Sequence, residues 1–112
     1  GEYSCFHTSL TGADESAPAS SHVLEEVFEV IQGRKANPVP GSYTNYLLDK
    51  GVEKICKKVG EEASETIIAA VKGSRDEVRY EASDLLYHLM VLLCDQGMRP
   101  EELYAELRSR RK

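Results

Sequence analysis

Glu61-Glu62-Ala63-Ser64-Glu65, Lys72-Gly73-Ser74 and Glu81-Ala82-Ser83-Asp84 decide how this chain is read. Residues three apart share a helix face, so helical flanks would make acidic pairs of Glu62 with Glu65 and of Glu81 with Asp84. Lys72-Gly73-Ser74 reads as a helix stop followed by a start. Glycine supplies the left-handed residue that ends helices, and Ser74 followed by Glu77 makes a capping box. Glu65 stands eight residues before Gly73 and Glu81 eight after it, while Glu62 and Asp84 each stand eleven away. At about 1.5 Å rise per residue, an antiparallel hairpin brings all four carboxylates to one height, roughly 12 to 17 Å from its tip.

Outward from the turn the pattern stays helical. Val52, Ile55, Cys56, Val59, Ala63, Ile67 and Ala70 recur at i, i+3, i+4 and i+7, which predicts an amphipathic helix over 52–72. A second helix runs from Arg75 to Gln96 with Gly97 as its stop, and Pro100 opens a last one through Arg108. Upstream, Val23, Leu24, Val27, Phe28 and Ile31 predict a helix from Ser21 to Gln32 that stops at Gly33. Residues 34–43 hold Pro38 and Pro40 and read as a loop carrying Arg34 and Lys35. A short helix from Thr44 to Lys50 and a break at Gly51 complete the series. No stretch alternates as a half-buried strand would. The expectation is an all-α helical bundle built around the hairpin over residues 22–110, preceded by a leader, 1–21, whose later part is small, polar and linker-like.

A chain of 112 residues suits a single core. Its net charge of -5 argues against a general nucleic-acid surface, which needs clustered cations. No apolar run approaches the roughly 18 to 20 residues that span a bilayer. Three scattered cysteines point to a reducing, cytoplasmic setting, with Cys56 and Cys94 expected in the core.

A lone Glu-x-x-Glu is most often a solvated helix face. Here, however, a helical wheel with its apolar stripe centred near Val52, Val59 and Ala70 sets Glu62 about 80° to one side, Glu65 and Lys58 slightly further, and Glu61 nearly outward. For the second helix the stripe Val78, Ala82, Leu85, Leu89 and Leu92 puts Glu81, His88 and Asp84 on one flank, at about 60°, 80° and 120°. Four carboxylates that border a core at one height repel one another, and a divalent cation removes that conflict. All-oxygen ligands favour Mg²⁺, with Mn²⁺ as the alternative. Mg²⁺ so held usually shares substrate phosphates, and Arg34, Lys35, Lys54, Lys57 and Lys58 are candidates to bind them. His88 is either an outer partner of the site or a satisfied histidine at the core's edge.

These motifs resemble the metal motif of the all-helical nucleotide pyrophosphohydrolase superfamily. Arg34-Lys35-Ala36-Asn37-Pro38, Gly41-Ser42-Tyr43-Thr44, Lys57-Lys58-Val59-Gly60-Glu61-Glu62 and Tyr80-Glu81-Ala82-Ser83-Asp84-Leu85-Leu86-Tyr87-His88 narrow the resemblance to the phosphoribosyl-ATP pyrophosphohydrolase family. The resemblance implies hydrolysis of phosphoribosyl-ATP to phosphoribosyl-AMP and pyrophosphate, the second step of histidine biosynthesis. It implies Mg²⁺ on Glu62, Glu65, Glu81 and Asp84, with Glu61, Glu62 and Lys58 as catalytic candidates. It also implies a homodimer, for which the apolar segment Leu85 to Leu93 would suit a seam. Gly1-Glu2-Tyr3-Ser4-Cys5-Phe6 resembles the end of a phosphoribosyl-AMP cyclohydrolase domain, so an upstream fused domain is expected, with Cys5 an orphaned zinc ligand. Two other readings compete. One is a house-cleaning pyrophosphatase of nucleoside triphosphates, and the other a non-catalytic helical dimerisation module.

Overall fold

The structure, a computed structural model, describes residues 20–111. The leader's first nineteen residues, Cys5 among them, lie outside the described residues. Five helices follow in order: α1 (His22–Ala36), α2 (Tyr43–Lys50), α3 (Val52–Val71), α4 (Arg75–Asp95) and α5 (Pro100–Ser109). Among the described residues there is no strand, and no helix is long and apolar enough to cross a membrane.

The hairpin closes as the turn chemistry requires. Gly73 takes φ 80, and the amides of Gly73 and Ser74 donate to the carbonyls of Ala70 and Ala69, both at 3.1 Å. That pairing satisfies two carbonyls left over at the end of α3. Ser74 then starts α4, its hydroxyl accepting from the Glu77 amide at 3.3 Å. Gly97, at φ 72, ends α4 the same way, with its own amide donating to Cys94 and that of Met98 to Leu93.

The core lies between α1, α2 and α4. Val27, Phe28, Ile31, Leu47, Tyr87, Met90, Val91, Leu93 and Cys94 form it, with Ile55 reaching in from the start of α3. Four sequence expectations change here. First, α1 does not stop at Gly33. One glycine inside a helix costs only about 1 kcal/mol, and the helix runs on until Asn37, where Pro38 excludes the helical conformation. Arg34 and Lys35 therefore occupy its last turn rather than a loop.

Second, the buried line of α3 is Ile55, Glu62 and Ala69, so Glu62 stands on it instead of beside it. Val52 is exposed, and so are Ala70 and Ile67. Third, Cys56 is exposed and only Cys94 is core. Fourth, α4 buries Asp84, Tyr87, His88, Val91 and Cys94, a line one flank away from the expected stripe. The segment Leu85 to Leu93, expected as a dimer seam, is largely spent on the chain's own core, and Leu86 is its one member classed as exposed.

Candidate metal centre

The hairpin gathers three of the four carboxylates expected from the spacing about Gly73. One oxygen each from Glu62, Glu81 and Asp84 lies within 4.8 Å of the others. Glu62 and Asp84 are buried, at 4% and 5% exposure. One oxygen of Glu62 and one of Glu81 are enclosed with no hydrogen-bond partner, which is costly for buried polar atoms unless something else satisfies them. Glu65 is exposed and stands outside the three, although its charge is felt by all of them.

The electrostatics are those of a crowded acidic site. Burial first, and then the neighbouring carboxyls of Glu81, Glu65 and Asp84, push the Glu62 carboxyl up to about 8. Burial, with Glu81 and Glu65 behind it, raises Asp84 to about 6. Glu81 is raised as well, by burial and by Glu65. Tyr80, on the exposed rim, is raised chiefly by Asp84. A divalent cation fits this donor set, since it would satisfy the orphaned oxygens and favour the ionised carboxylates together.

Lys58 borders the cluster. Its ammonium lies 3.2 Å from Glu61 and 3.9 Å from Glu62. Burial works against its charge, but Glu61 and Tyr43 hold its pKa above the usual lysine value. Lys58 in turn keeps Glu61 below the usual carboxylate range. Glu61, partly exposed, does not join the three carboxylates.

His88 is fully buried, one turn beyond Asp84 on α4. Its Nδ1 lies 2.7 Å from the Asp84 carbonyl, which can only accept, so Nδ1 carries the proton. Nε2 is then the acceptor for the Tyr43 hydroxyl at 2.9 Å. Burial lowers the His88 pKa and favours this neutral form. His88 thus holds the backbone carbonyl of Asp84.

The remaining cations are not gathered around the cluster. Lys35 donates to the Cys94 carbonyl at 3.2 Å, ten residues and about 15 Å along α4 from Asp84. Arg34 is close enough to influence Tyr87. Lys54 lies 5.7 Å from the centre of the Tyr46 ring, and Lys57 is exposed on the Glu61 side. Of the five phosphate-binding candidates, only Lys58 touches the carboxylates. Tyr43 and Tyr80 received no role from the sequence. The only signal for them was position: Tyr80 precedes Glu81, and Tyr43 opens the helix that Ser42 caps.

Known proteins resemble the chain over most of its length. The family model described as Phosphoribosyl-ATP pyrophosphohydrolase matches residues 24–111. The "Phosphoribosyl-ATP pyrophosphatase" of Limosilactobacillus fermentum is 52% identical over 87 residues, 78% of this chain and 82% of that protein. The "Histidine biosynthesis bifunctional protein HisIE" of Caldanaerobacter subterraneus is 51% identical over 112 residues, all of this chain and 53% of that protein. Its counterpart in Bacillus subtilis is 46% identical over 110 residues, 98% of this chain and 52% of that one. The chain spans about half the length of the bifunctional relatives it matches. With most of its length matched by the family model and its carboxylates gathered on one hairpin, the chain belongs to the phosphoribosyl-ATP pyrophosphohydrolase family.

Proposed function

We propose that this chain hydrolyses phosphoribosyl-ATP to phosphoribosyl-AMP and pyrophosphate, as a divalent-metal-dependent, cytoplasmic enzyme of histidine biosynthesis. The observation that carries this reading, within the family, is the cluster of buried Glu62 and Asp84 with half-buried Glu81 and its two unsatisfied oxygens. These three residues would hold Mg²⁺ or Mn²⁺, with Glu65 at the rim as a fourth carboxylate. When bound, the metal supplies Lewis-acid polarisation of phosphoryl oxygens and a more acidic water.

The chain's own groups divide the remaining work. Lys58, held between Glu61 and Glu62, lies where it can offset charge on the departing pyrophosphate. Glu61, kept ionised by Lys58 and open to solvent, would be the candidate to accept a proton from an attacking water. Arg34, Lys35, Lys54 and Lys57 remain candidates for phosphates that extend beyond the cluster, Lys54 and Lys57 being near enough to act on Glu61.

The whole of this chain aligns with bifunctional histidine-biosynthesis proteins. That alignment, with the resemblance of residues 1–6 to the end of a cyclohydrolase domain, supports a place downstream of such a domain in a fused protein. A homodimer is supported by exposed apolar residues on the hairpin, Ile67 at 63%, Ile68 at 60% and Val71 at 84%.

The test is pyrophosphate release from phosphoribosyl-ATP with Mg²⁺. Changes in residues around a metal's ligands cost about 10- to 100-fold, so Glu62→Gln and Asp84→Asn should lose at least that much. Undiminished turnover in both variants would overturn the assignment.

A further inference from the structure

A cleft of about 790 Å³ opens beside α2, lined by the loop Pro38 to Ser42 and by Tyr43, Asn45, Tyr46 and Asp49. Its size is that of a small-molecule site. The loop that walls it is fixed on three sides. Asn45 accepts from the Val39 amide at 2.8 Å and donates to the Arg34 carbonyl at 2.9 Å, while Ser42 caps α2. Tyr43 then ties the wall to the metal centre, since its hydroxyl meets His88, and His88 holds the carbonyl of Asp84. The cleft thus keeps a set distance from the carboxylates.

Its chemistry is unlike that of a phosphate site. No lysine or arginine lines it, and its one charge is the Asp49 carboxylate, which has no ion-pair partner among the described residues. Two prolines and two tyrosines supply flat apolar surface. The Tyr43 and Tyr46 rings are stacked with centres 6.2 Å apart, and Tyr46 is 43% exposed. Such a surface suits a flat ring that is neutral or positive. An aromatic face attracts cations, and Tyr46 already draws the ammonium groups of Lys50 and Lys54 at the cleft's edge to 5.8 and 5.7 Å.

We propose that this cleft binds the purine end of the substrate and that Asp49 with Tyr46 selects an adenine alkylated on a ring nitrogen over ordinary adenine. The inference rests on phosphoribosyl-ATP being the substrate. Attaching a second ribose to N1 of the adenine turns the ring into a cationic amidinium, whereas the base of ATP is neutral. Asp49 can pair with that charge and accept from the exocyclic nitrogen. The cleft would therefore discriminate by charge at a position away from the bond that breaks.

The test uses binding without metal or turnover. Calorimetry should show 1-methyl-AMP binding the wild-type protein at least about fivefold tighter than AMP, the scale of a partly exposed charge contact. In Asp49→Asn the two affinities should converge, and Tyr46→Ala should weaken both. Asp49 is exposed, so the first variant should fold as the wild type does. Equal binding of the two probes, no saturable binding of either, or a preference that survives Asp49→Asn would overturn the proposal. A wild type that prefers the methylated probe but releases no pyrophosphate from phosphoribosyl-ATP would instead sink the hydrolase reading. In turnover, Asp49→Asn should raise KM for phosphoribosyl-ATP with little change in kcat, because the contact is the same in ground and transition states.

Discussion

Glu62 concentrates the chemistry of this protein in one side chain. It stands on the buried line of α3 between Ile55 and Ala69, where an apolar residue would be the stable choice. Its carboxyl, with an ordinary value of 4.5, is pushed up to about 8, and that of Asp84 from 3.8 to about 6. The folded protein therefore binds more protons than the unfolded chain between those values, and stability must fall as pH rises through the window. We predict that the metal-free melting temperature declines from pH 5 to pH 8, and that Glu62→Gln flattens the decline. Saturating Mg²⁺ at pH 8 should restore the loss, because a ligand bound only by the folded state stabilises it and a bound cation favours the ionised carboxylates. A metal-free melting temperature that is level over this range would refute the picture of an acidic site held under strain by burial. The carboxylates were legible in the sequence because their spacing about Gly73 is independent of side-chain packing. The Tyr43, His88 and Asp84 chain was not, because residues 43 and 88 lie far apart in sequence and only the folded core brings them together.

The helices depend on their ends more than on their interiors. At Gly73 the backbone is left-handed, φ 80, which costs any other L-residue about 1 to 2 kcal/mol. Gly73→Ala should destabilise the protein by about that amount, and Ser74→Ala by about 1 kcal/mol through loss of the cap, both read from chemical denaturation. Gly33 makes the opposite case. It lies inside α1, exposed, with nothing within 4 Å of where a Cβ would stand. Gly33→Ala should therefore stabilise by up to about 1 kcal/mol, and a loss of stability would contradict the helix continuing to Ala36. The same contrast explains what could be read in advance. Turn glycines followed by a capping serine or a proline announce themselves, so α2 to α5 were placed to within a residue or two. Gly33 was misread because a glycine that breaks a helix and one merely tolerated inside it look alike until Pro38 is weighed against it.

At the scale of the molecule, the chain has more apolar helix surface than its own core uses. Ile67, Ile68 and Val71 near the end of α3, and Leu86 on α4, remain open to solvent. A helical wheel cannot separate the face turned to the chain's own core from one turned to a partner, which is why Val52, Cys56 and Ala70 were assigned to the interior. If that surface is a dimer seam, sedimentation should show a dimer for the wild type and a shift to monomer for Ile68→Asp. A monomeric wild type would remove the homodimer from the proposed function. The three-residue turn at Lys72, Gly73 and Ser74 has a further consequence. Inserting a single residue there would advance α4 by about 1.5 Å and rotate it by about 100°, carrying Glu81 and Asp84 off the face that meets Glu62. The connection acts as a gauge of fixed length. Relatives that keep the chemistry should tolerate additions at 96–99, between α4 and α5, more readily than any change in length at Gly73.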